Sequence, residues 1–251
     1  MTKGFYNLTS AMLTQGKYLD VISNNMTNVA TNGYKADRYT FSTFGEVMWQ
    51  KVGNKYKEYQ ELGQQSWITA PSQLYVDFSQ GALEETGQPL DFAIEGDGWF
   101  AIQTTDGNRV YTRNGNFSLD DELFLVLPGQ GRVLGASGAP IQLVTDKIES
   151  DGFGGLYTES GGFLGRIGVF TFEDNEAALE RNDQGLFDAG MNGQQAAVTV
   201  RQRMLERANT DLVQQMTEMI AAQRAYQSAA EVIQIYDDVI NRVTNEVGRL
   251  Q

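Results

Sequence analysis

Glycine and proline are unevenly distributed along this chain of 251 residues. All four prolines and 23 of the 27 glycines lie between residues 36 and 200, so the two ends are almost free of both. Helix interiors disfavour these residues, whereas turns between strands require them. The distribution predicts helical domains in residues 1–35 and 201–251 and a β-rich domain in residues 36–200.

The N-terminal segment contains apolar residues that recur at alternating steps of four and three. Gln15 is the polar member of this heptad seam, and Asn32-Gly33 beyond it is suited to a left-handed helix stop. We therefore expect one helix that ends between Val29 and Thr31. The apolar seam residues are Leu8, Met12, Leu19, Ile22, Met26 and Val29.

The C-terminal segment carries a longer seam, which keeps the same alternation from Leu205 to Leu250 with Gln215 as its polar member. A seam of this length predicts a coiled-coil helix of roughly 70 Å at ~1.5 Å per residue. The residues that we assign to an assembly interface here are Leu205, Leu212, Met219, Tyr226, Ile233, Tyr236, Ile240, Val243, Val247 and Leu250.

A second apolar stripe of Val213, Met216 and Ile220 flanks the C-terminal seam. The shorter N-terminal helix cannot cover both stripes of the longer one, so we expect other copies of the chain to cover the rest. The alternative is an intramolecular hairpin of the two end helices without an external partner.

The middle of the chain contains short apolar runs separated by turn residues, among them Leu90 to Ile94, Trp99 to Ile102 and Val110 to Arg113. Asp106-Gly107 stands where a hairpin turn is expected. The predicted fold class is α+β, with long N- and C-terminal helices forming a coiled coil and a β-rich middle of non-sequential strand order. The glycine-rich stretch from Ser150 to Gly165 is interpreted as a mobile loop or a local insertion.

Composition excludes several classes of function. The 32 acidic and 19 basic residues give a net charge of −13, which opposes binding to nucleic acid or anionic lipid. Cysteine and histidine are absent, so thiolate and imidazole chemistry are excluded, and no cofactor or metal is expected. No apolar run is long enough for direct membrane insertion, and the N-terminus lacks the features of a cleaved secretory signal.

Two patterns could carry chemistry. Gly96-Asp97-Gly98 is followed by strand-like aromatic residues and not by a helix, which favours a tight turn over a phosphate loop. The acidic clusters Asp91, Glu95, Asp97 and Asp120, Asp121, Glu122 could supply the carboxylate pair of a glycosidase, but sequence proximity does not establish such a pair. We predict that the chain is not an enzyme.

Three blocks of the sequence resemble the flagellar rod and hook family of axial proteins. They are Asn24 to Lys35, then Gly81 to Phe117 with Gly96-Asp97-Gly98-Trp99-Phe100 at its centre, and finally Asn209 to Tyr226. All three occur in the family's order, which makes the resemblance strong. The family-motif residues are Asn24, Asn25, Asn28, Gly33, Lys35, Gly96, Gly98, Gln223, Arg224 and Tyr226.

The resemblance implies a structural subunit of the bacterial flagellar basal-body rod, located in the basal body. Such a subunit polymerises through its terminal helices with copies of itself and other rod and hook axial proteins. It is exported by the flagellar type III apparatus without a cleaved signal peptide. The segment between Lys35 and Gly81 resembles the proximal-rod type more than the distal-rod type.

Two other functions are compatible with parts of the sequence. A freestanding coiled-coil adhesin or soluble oligomeric binding module would also use the helical seams, and it would form a closed particle. A carbohydrate-active enzyme would use carboxylates of the middle domain and would require a cleft with one raised carboxyl pKa.

Overall fold

The computed structural model describes residues 2–52, 59–145, 147–182, 184–190, 193–196 and 198–248. The chain forms two compact units. The first comprises Met1–Met26, Asp37–Tyr75 and Leu212–Gln251, and the second comprises Thr27–Ala36 and Val76–Asp211. Each unit is therefore built from segments that are far apart in sequence.

The elements follow in chain order. The helices are α1 (Thr2–Thr27), α2 (Asn175–Ala178) and α3 (Leu212–Gly248). The strands of the first half are β1 (Asp37–Val52), β2 (Tyr59–Val76), β3 (Leu83–Glu85), β4 (Phe92–Glu95), β5 (Trp99–Thr104), β6 (Arg109–Thr112), β7 (Ser118–Leu119), β8 (Leu125–Leu127) and β9 (Gly131–Val133). Those of the second half are β10 (Ile148–Ser150), β11 (Gly155–Thr158), β12 (Phe163–Arg166), β13 (Val169–Thr171), β14 (Leu179–Arg181), β15 (Phe187–Ala189), β16 (Gln194–Gln195), β17 (Thr199–Gln202) and β18 (Met204–Glu206).

The first unit contains the two long helices and the β1–β2 pair, which forms a two-stranded sheet. Aromatic rings join α1 to the start of β1. Phe41 lies edge-on to Tyr18 and to Tyr39, with ring centroids 5.4 and 5.3 Å apart. Edge-to-face packing of this kind favours one relative placement of a helix and a strand.

Helix α1 ends at Thr27, two residues before the earliest predicted end at Val29. A turn follows, and the left-handed residue Gly33, with φ of 67°, comes six residues beyond the end of the helix. Gly33 therefore shapes the connection to β1 and does not cap the helix.

The predicted coiled coil is wrong. Helix α3 begins at Leu212, and the first seam residue, Leu205, lies instead on β18, opposite Glu84 of β3. Leu205 lies seven residues before Leu212, which fits a heptad spacing. Strand pairing overrides that spacing at this point. In α1 the most deeply buried positions include Thr14 and Asn25, which are outside the seam. The described residues therefore show two terminal helices and a β-rich middle, without a coiled coil.

The second unit is built around a large antiparallel sheet of order β14-β15-β6-β5-β9-β8-β7, in which β13 also pairs with β5. Smaller pairs join β17 to β4 and β18 to β3. The strand order is non-sequential, as predicted. The hairpin predicted at Asp106-Gly107 is confirmed, since β5 and β6 pair in the register Ala101↔Tyr111 and Gly107 has φ of 84°.

Strand β5 supplies the core on both faces of this sheet. Successive side chains of a strand point to opposite faces. Phe100 and Ile102 accordingly enter the larger buried cluster, and Trp99 and Ala101 enter the smaller one. The strand is therefore covered on both sides.

The stretch from Ser150 to Gly165 was predicted to be a mobile loop or a local insertion. It is part of a three-stranded antiparallel sheet of order β10-β11-β12, so the mobile-loop alternative is wrong. Four of its six glycines lie between the strands, including Gly152 and Gly161 with positive φ, and the other two lie on β11 and β12. Leu156 of β11 is fully buried in the larger cluster. This buried side chain anchors a segment whose composition alone is typical of a loop.

Replacement of Phe100 by alanine should lower the free energy of unfolding by about 3–5 kcal/mol, because it removes a buried ring and leaves a cavity. Phe100 is fully buried, and its ring centroid lies 5.2 Å from that of Phe117. Urea unfolding followed by circular dichroism measures the change. Val144→Ala, at a position that is 74% exposed, is the control and should change stability by less than about 0.5 kcal/mol. Equal losses in both variants would contradict this assignment of the core.

Candidate functional site

The buried face of α1 differs from its predicted seam. Thr14, Ile22 and Asn25 are buried, and Tyr18 between them is half-buried, so the steps are four, four and three. The seam residues Leu8, Met12, Leu19 and Met26 are half-buried, and Val29 is half-buried in the turn after the helix. The face that α1 buries is therefore partly polar.

Helix α3 meets α1 within the first unit through three described contacts. The Tyr18 hydroxyl donates to Glu218 Oε2 at 3.1 Å, and Asn25 Nδ2 donates to Gln215 Oε1 at 3.4 Å. The rings of Phe5 and Tyr236 lie 6.4 Å apart. Residue numbers fall along one helix as they rise along the other, so the two helices are antiparallel.

The contact with Glu218 also affects ionisation. Burial raises the pKa of the Tyr18 hydroxyl, and the charge of Glu218 and the hydrogen bond to it raise that pKa further. Tyr18 therefore stays protonated and keeps donating to Glu218 through neutral pH.

The seam of α3 is covered unevenly. Met219, Ile233 and Tyr236 are half-buried, and Ala222 between them is buried. Leu212, Tyr226, Ile240 and Val243 are exposed. Val247 lies in the last turn of the helix, with its side chain outside the described residues, and Leu250 lies outside them altogether.

Two further apolar stripes on α3 are exposed. Val213, Met216 and Ile220 form the stripe predicted from sequence, and Val213 is 73% exposed. Val232, Ile235 and Val239 form a second stripe in the C-terminal half, where Ile235 is 62% exposed. At 3.6 residues per turn the two stripes lie about 100° apart around the helix axis. One helix thus presents apolar surface in two directions besides the one that faces α1.

A cluster of charged side chains lies buried in the second unit. Glu206, at the end of β18, accepts from Lys35 Nζ at 2.6 Å and from Arg113 Nη1 at 3.2 Å. The side chains of Lys35 and Glu206 are fully buried, and that of Arg113 is 3% exposed. Three segments distant in sequence therefore meet at one carboxylate.

Further bonds complete this charge cluster. Glu206 Oε1 also accepts from the Gly81 amide at 2.9 Å, and Lys35 Nζ donates to the Ser79 carbonyl at 2.7 Å. Arg113 Nη2 donates to the Gly96 carbonyl at 2.9 Å, and its guanidinium lies 5.2 Å from the Trp99 ring centroid. Buried charges are tolerated when they are paired and hydrogen-bonded in this way.

Burial and pairing act in opposite directions on these cations. Burial lowers the pKa of the Lys35 ammonium and that of the Arg113 guanidinium, and the Glu206 carboxylate counteracts both shifts. The carboxylate is therefore what keeps two charged side chains stable inside the unit.

Two asparagines of the family motifs bind backbone groups. Asn25 Nδ2 donates to the Asp37 carbonyl at 2.8 Å, and Asn25 Oδ1 accepts from the Asp37 amide at 2.9 Å. Asn209 Oδ1 accepts from the Ala36 amide at 2.7 Å, and its Nδ2 donates to the Asp77 carbonyl at the same distance. These residues fix connections between segments of the chain.

The glycines of the motifs fill positions that exclude a side chain. A Cβ at Gly33 would lie 2.4 Å from backbone atoms of Arg113 and Asn114, and the Gly33 amide donates to the Glu206 carbonyl at 2.7 Å. Gly96 and Gly98 lie in the connection from β4 to β5, which confirms the predicted turn. A Cβ at Gly98 would lie 2.5 Å from Val169 Cγ1.

The remaining predicted motif residues lie elsewhere. Asn24 is exposed on α1, and the Asn28 side chain accepts from the Thr31 hydroxyl at 3.3 Å. Gln223 and Arg224 are exposed on α3, next to Tyr226. Sequence reasoning assigned no role to Glu206, because the predicted helix included it, although the strand-like alternation after Val198 was a usable signal.

Four of the six carboxylates considered for catalysis take part in structural contacts. Asp91 accepts from the Thr86 hydroxyl, and Glu95 pairs with Arg201 at 2.8 Å. Asp120 and Glu122 both pair with Arg132 on the surface. These carboxylates stabilise turns and strand ends.

Comparison with known proteins adds an independent observation. Residues 201–246 match the family model "Flagellar basal body rod FlgEFG protein C-terminal", and residues 93–153 match "Flagellar hook protein FlgE/F/G D1 domain". The flagellar basal-body rod protein FlgG of Bacillus subtilis is 32% identical over 268 residues, which cover 98% of this chain and 99% of the relative. The chain belongs to the flagellar basal-body rod protein family.

Other relatives have a comparable sequence identity to this chain. The rod protein FlgF of Mesorhizobium japonicum is 31% identical over 93% of this chain and 92% of its own length. The flagellar hook-basal body complex protein FlhO of B. subtilis is 28% identical over the full length of both chains. Relatives of both FlgF and FlgG types match at similar identity, so the proximal-rod assignment stays a prediction.

Membership in the rod family establishes a structural protein of the flagellar basal body and not an enzyme. The adhesin alternative is not supported. Among the described residues, no helix is both long enough and apolar enough to cross a membrane.

Replacement of Glu206 by glutamine should lower the free energy of unfolding by about 3–5 kcal/mol, since Lys35 and Arg113 would remain buried without a counter-charge. Chemical denaturation of the purified chain measures this loss. Glu95→Gln is the matched control, because it removes a carboxylate from a half-exposed pair with Arg201 and should cost less than about 1 kcal/mol. A loss at Glu206 no larger than that at Glu95 would show that the buried charge cluster contributes little.

Proposed function

We propose that this rod-family chain assembles with copies of itself and with other flagellar axial proteins through the exposed apolar faces of its terminal helices. The chain then lies in the basal-body rod as part of the axial structure that rotates for motility. It reaches the rod by export through the flagellar type III apparatus without a cleaved signal peptide.

The exposed stripes of α3 are the observation that carries this proposal. Val213, Ile220, Ile235 and Val239 are all more than half exposed on one helix. Contiguous apolar surface of this kind is unfavourable in water and marks sites of protein association. Because the two stripes point in directions about 100° apart, the helix is suited to contact more than one neighbour.

The end of α3 supports the same conclusion. The described contact nearest the C-terminus between the two helices joins Phe5 to Tyr236, and α3 continues beyond it to Gly248. Ile240 and Val243 in this continuation belong to the seam and are exposed. A neighbouring subunit could bury them, with a gain of ~1.5–3 kcal/mol for each fully buried side chain.

The manner of assembly follows from the asymmetry of these surfaces. The two apolar stripes of α3 point in different directions, so a neighbour that covers one stripe leaves the other free for a second neighbour. Head-to-tail contacts between unlike surfaces extend into a filament when the rotation does not close a ring. An axial structure requires this open arrangement.

Ile235→Asp tests the proposed surface. We expect incorporation into basal bodies to fall at least about tenfold, because the variant places a charge where an apolar contact would form. Incorporation is measured in cells that lack the native chain, by quantifying the subunit in purified basal bodies and by motility in soft agar. Ile235 is a better site than Ile233, because Ile233 is half-buried in the isolated chain.

Gln234→Asp is the matched control, since it adds the same charge at the adjacent exposed position. It should assemble normally, and both variants should unfold at the same urea concentration as the parent. Normal incorporation of Ile235→Asp would contradict the proposed surface. A discrete closed oligomer of the parent chain on sedimentation would contradict open, head-to-tail assembly.

A further inference from the structure

The chain crosses between its two units after residues 26, 36, 75 and 211. The three segments of the first unit are therefore connected in sequence only through residues 27–36 and 76–211, which belong to the second. The longer of these connections must bring its two ends together before α3 can meet α1. The cost of closing such a loop in a flexible chain is entropic and grows with its length.

We propose that Asn209 acts as a clasp that holds three of these crossings together and thereby promotes the meeting of α1 with α3. The Asn209 clasp consists of Lys35, Ala36, Asp77, Ser79, Glu206 and Asn209, all of which belong to the second unit.

The side chain of Asn209 contacts two chain segments besides its own. Its Oδ1 accepts from the Ala36 amide at 2.7 Å, and its Nδ2 donates to the carbonyls of Asp77 and Ser79 at 2.7 and 3.1 Å. Ala36 is the last residue before the crossing after residue 36. Asp77 lies two residues after Tyr75, where the next crossing occurs, and Asn209 lies two residues before Asp211, where the last one occurs. A single amide thus joins the three segments close to where each leaves the unit.

Neighbouring bonds tie the same segments. The Asp77 amide donates to the Ala36 carbonyl at 2.8 Å. Lys35 Nζ donates to the Ser79 carbonyl, which also accepts from Asn209, and pairs with Glu206 three residues before Asn209. The clasp is therefore continuous with the buried charge cluster, which makes its position in the unit well defined.

The expected physical consequence is a higher effective concentration of α3 near α1. When the ends of a long connection are held together, the segments that follow them are close to each other and meet more often. The clasp should therefore increase the rate at which α1 and α3 meet in a single chain, whether or not other subunits are present.

Intramolecular cross-linking tests the clasp. The chain has no cysteine, so Tyr18→Cys and Glu218→Cys introduce the two thiols, at positions whose parent side chains are 3.1 Å apart. A short bismaleimide is added to dilute protein, and the rate of cross-link formation within one chain is measured. We expect Asn209→Ala to slow this reaction several-fold.

Gln202→Ala is the matched control. The Gln202 amide also joins backbone segments of the second unit, since it donates to the Pro89 and Ile148 carbonyls and accepts from the Ser150 amide. Its partners lie far in sequence from the crossings, so the cross-linking rate should not change. Equal rates in parent and Asn209→Ala, or equal slowing by both substitutions, would overturn the proposal.

Near-ultraviolet circular dichroism of each variant shows whether the second unit stays folded. Asn209→Asp serves as a milder change, because it keeps the acceptor for the Ala36 amide and removes the Nδ2 donations to Asp77 and Ser79. Slower cross-linking by a folded Asn209 variant supports the clasp. Unfolding of the second unit by both Asn209 variants, but not by Gln202→Ala, would assign Asn209 to the stability of that unit and overturn the proposal.

Discussion

The pairing of Glu206 with Lys35 and Arg113 is the constraint on which the second unit depends. Two cations buried in one place would oppose folding without the carboxylate that lies between them. The carboxylate comes from the last residue of β18, so this strand must be in place before either cation is stable. The charge cluster thus couples the segment near residue 35, which follows α1, to the segment near residue 206, which precedes α3.

The family motifs take on a physical meaning in this context. Gly33 packs closely against the peptide bond between Arg113 and Asn114. Both Lys35 and Arg113 bind Glu206, and Asn209 binds the backbone of Ala36. These motif residues come from distant blocks of the sequence but meet in one part of the second unit. Their role is to fix the paths by which the chain leaves the unit, while the surfaces suited to assembly lie on the helices.

The two terminal helices divide their surfaces between internal and external contacts. Polar groups such as Tyr18 and Asn25 of α1 face α3, whereas many aliphatic side chains of α3 are exposed. A polar internal contact is specific but contributes little net stability, since each of its hydrogen bonds replaces one to water. Apolar faces left exposed contribute most when a neighbour buries them, as the subunits of an axial structure do.

The sequence by itself determined the presence of helix at both ends, the β-rich middle, the hairpin at Asp106-Gly107 and the rod-family membership. These features follow from local patterns, namely glycine and proline content, side-chain periodicity and short motifs. Only the tertiary structure decided that Leu205 lies on a strand, that Ser150 to Gly165 is ordered, and that Lys35, Arg113 and Glu206 share a site. The reason is that strand pairing and buried ion pairs join residues distant in sequence, and their energies override the weak local preferences that a sequence displays.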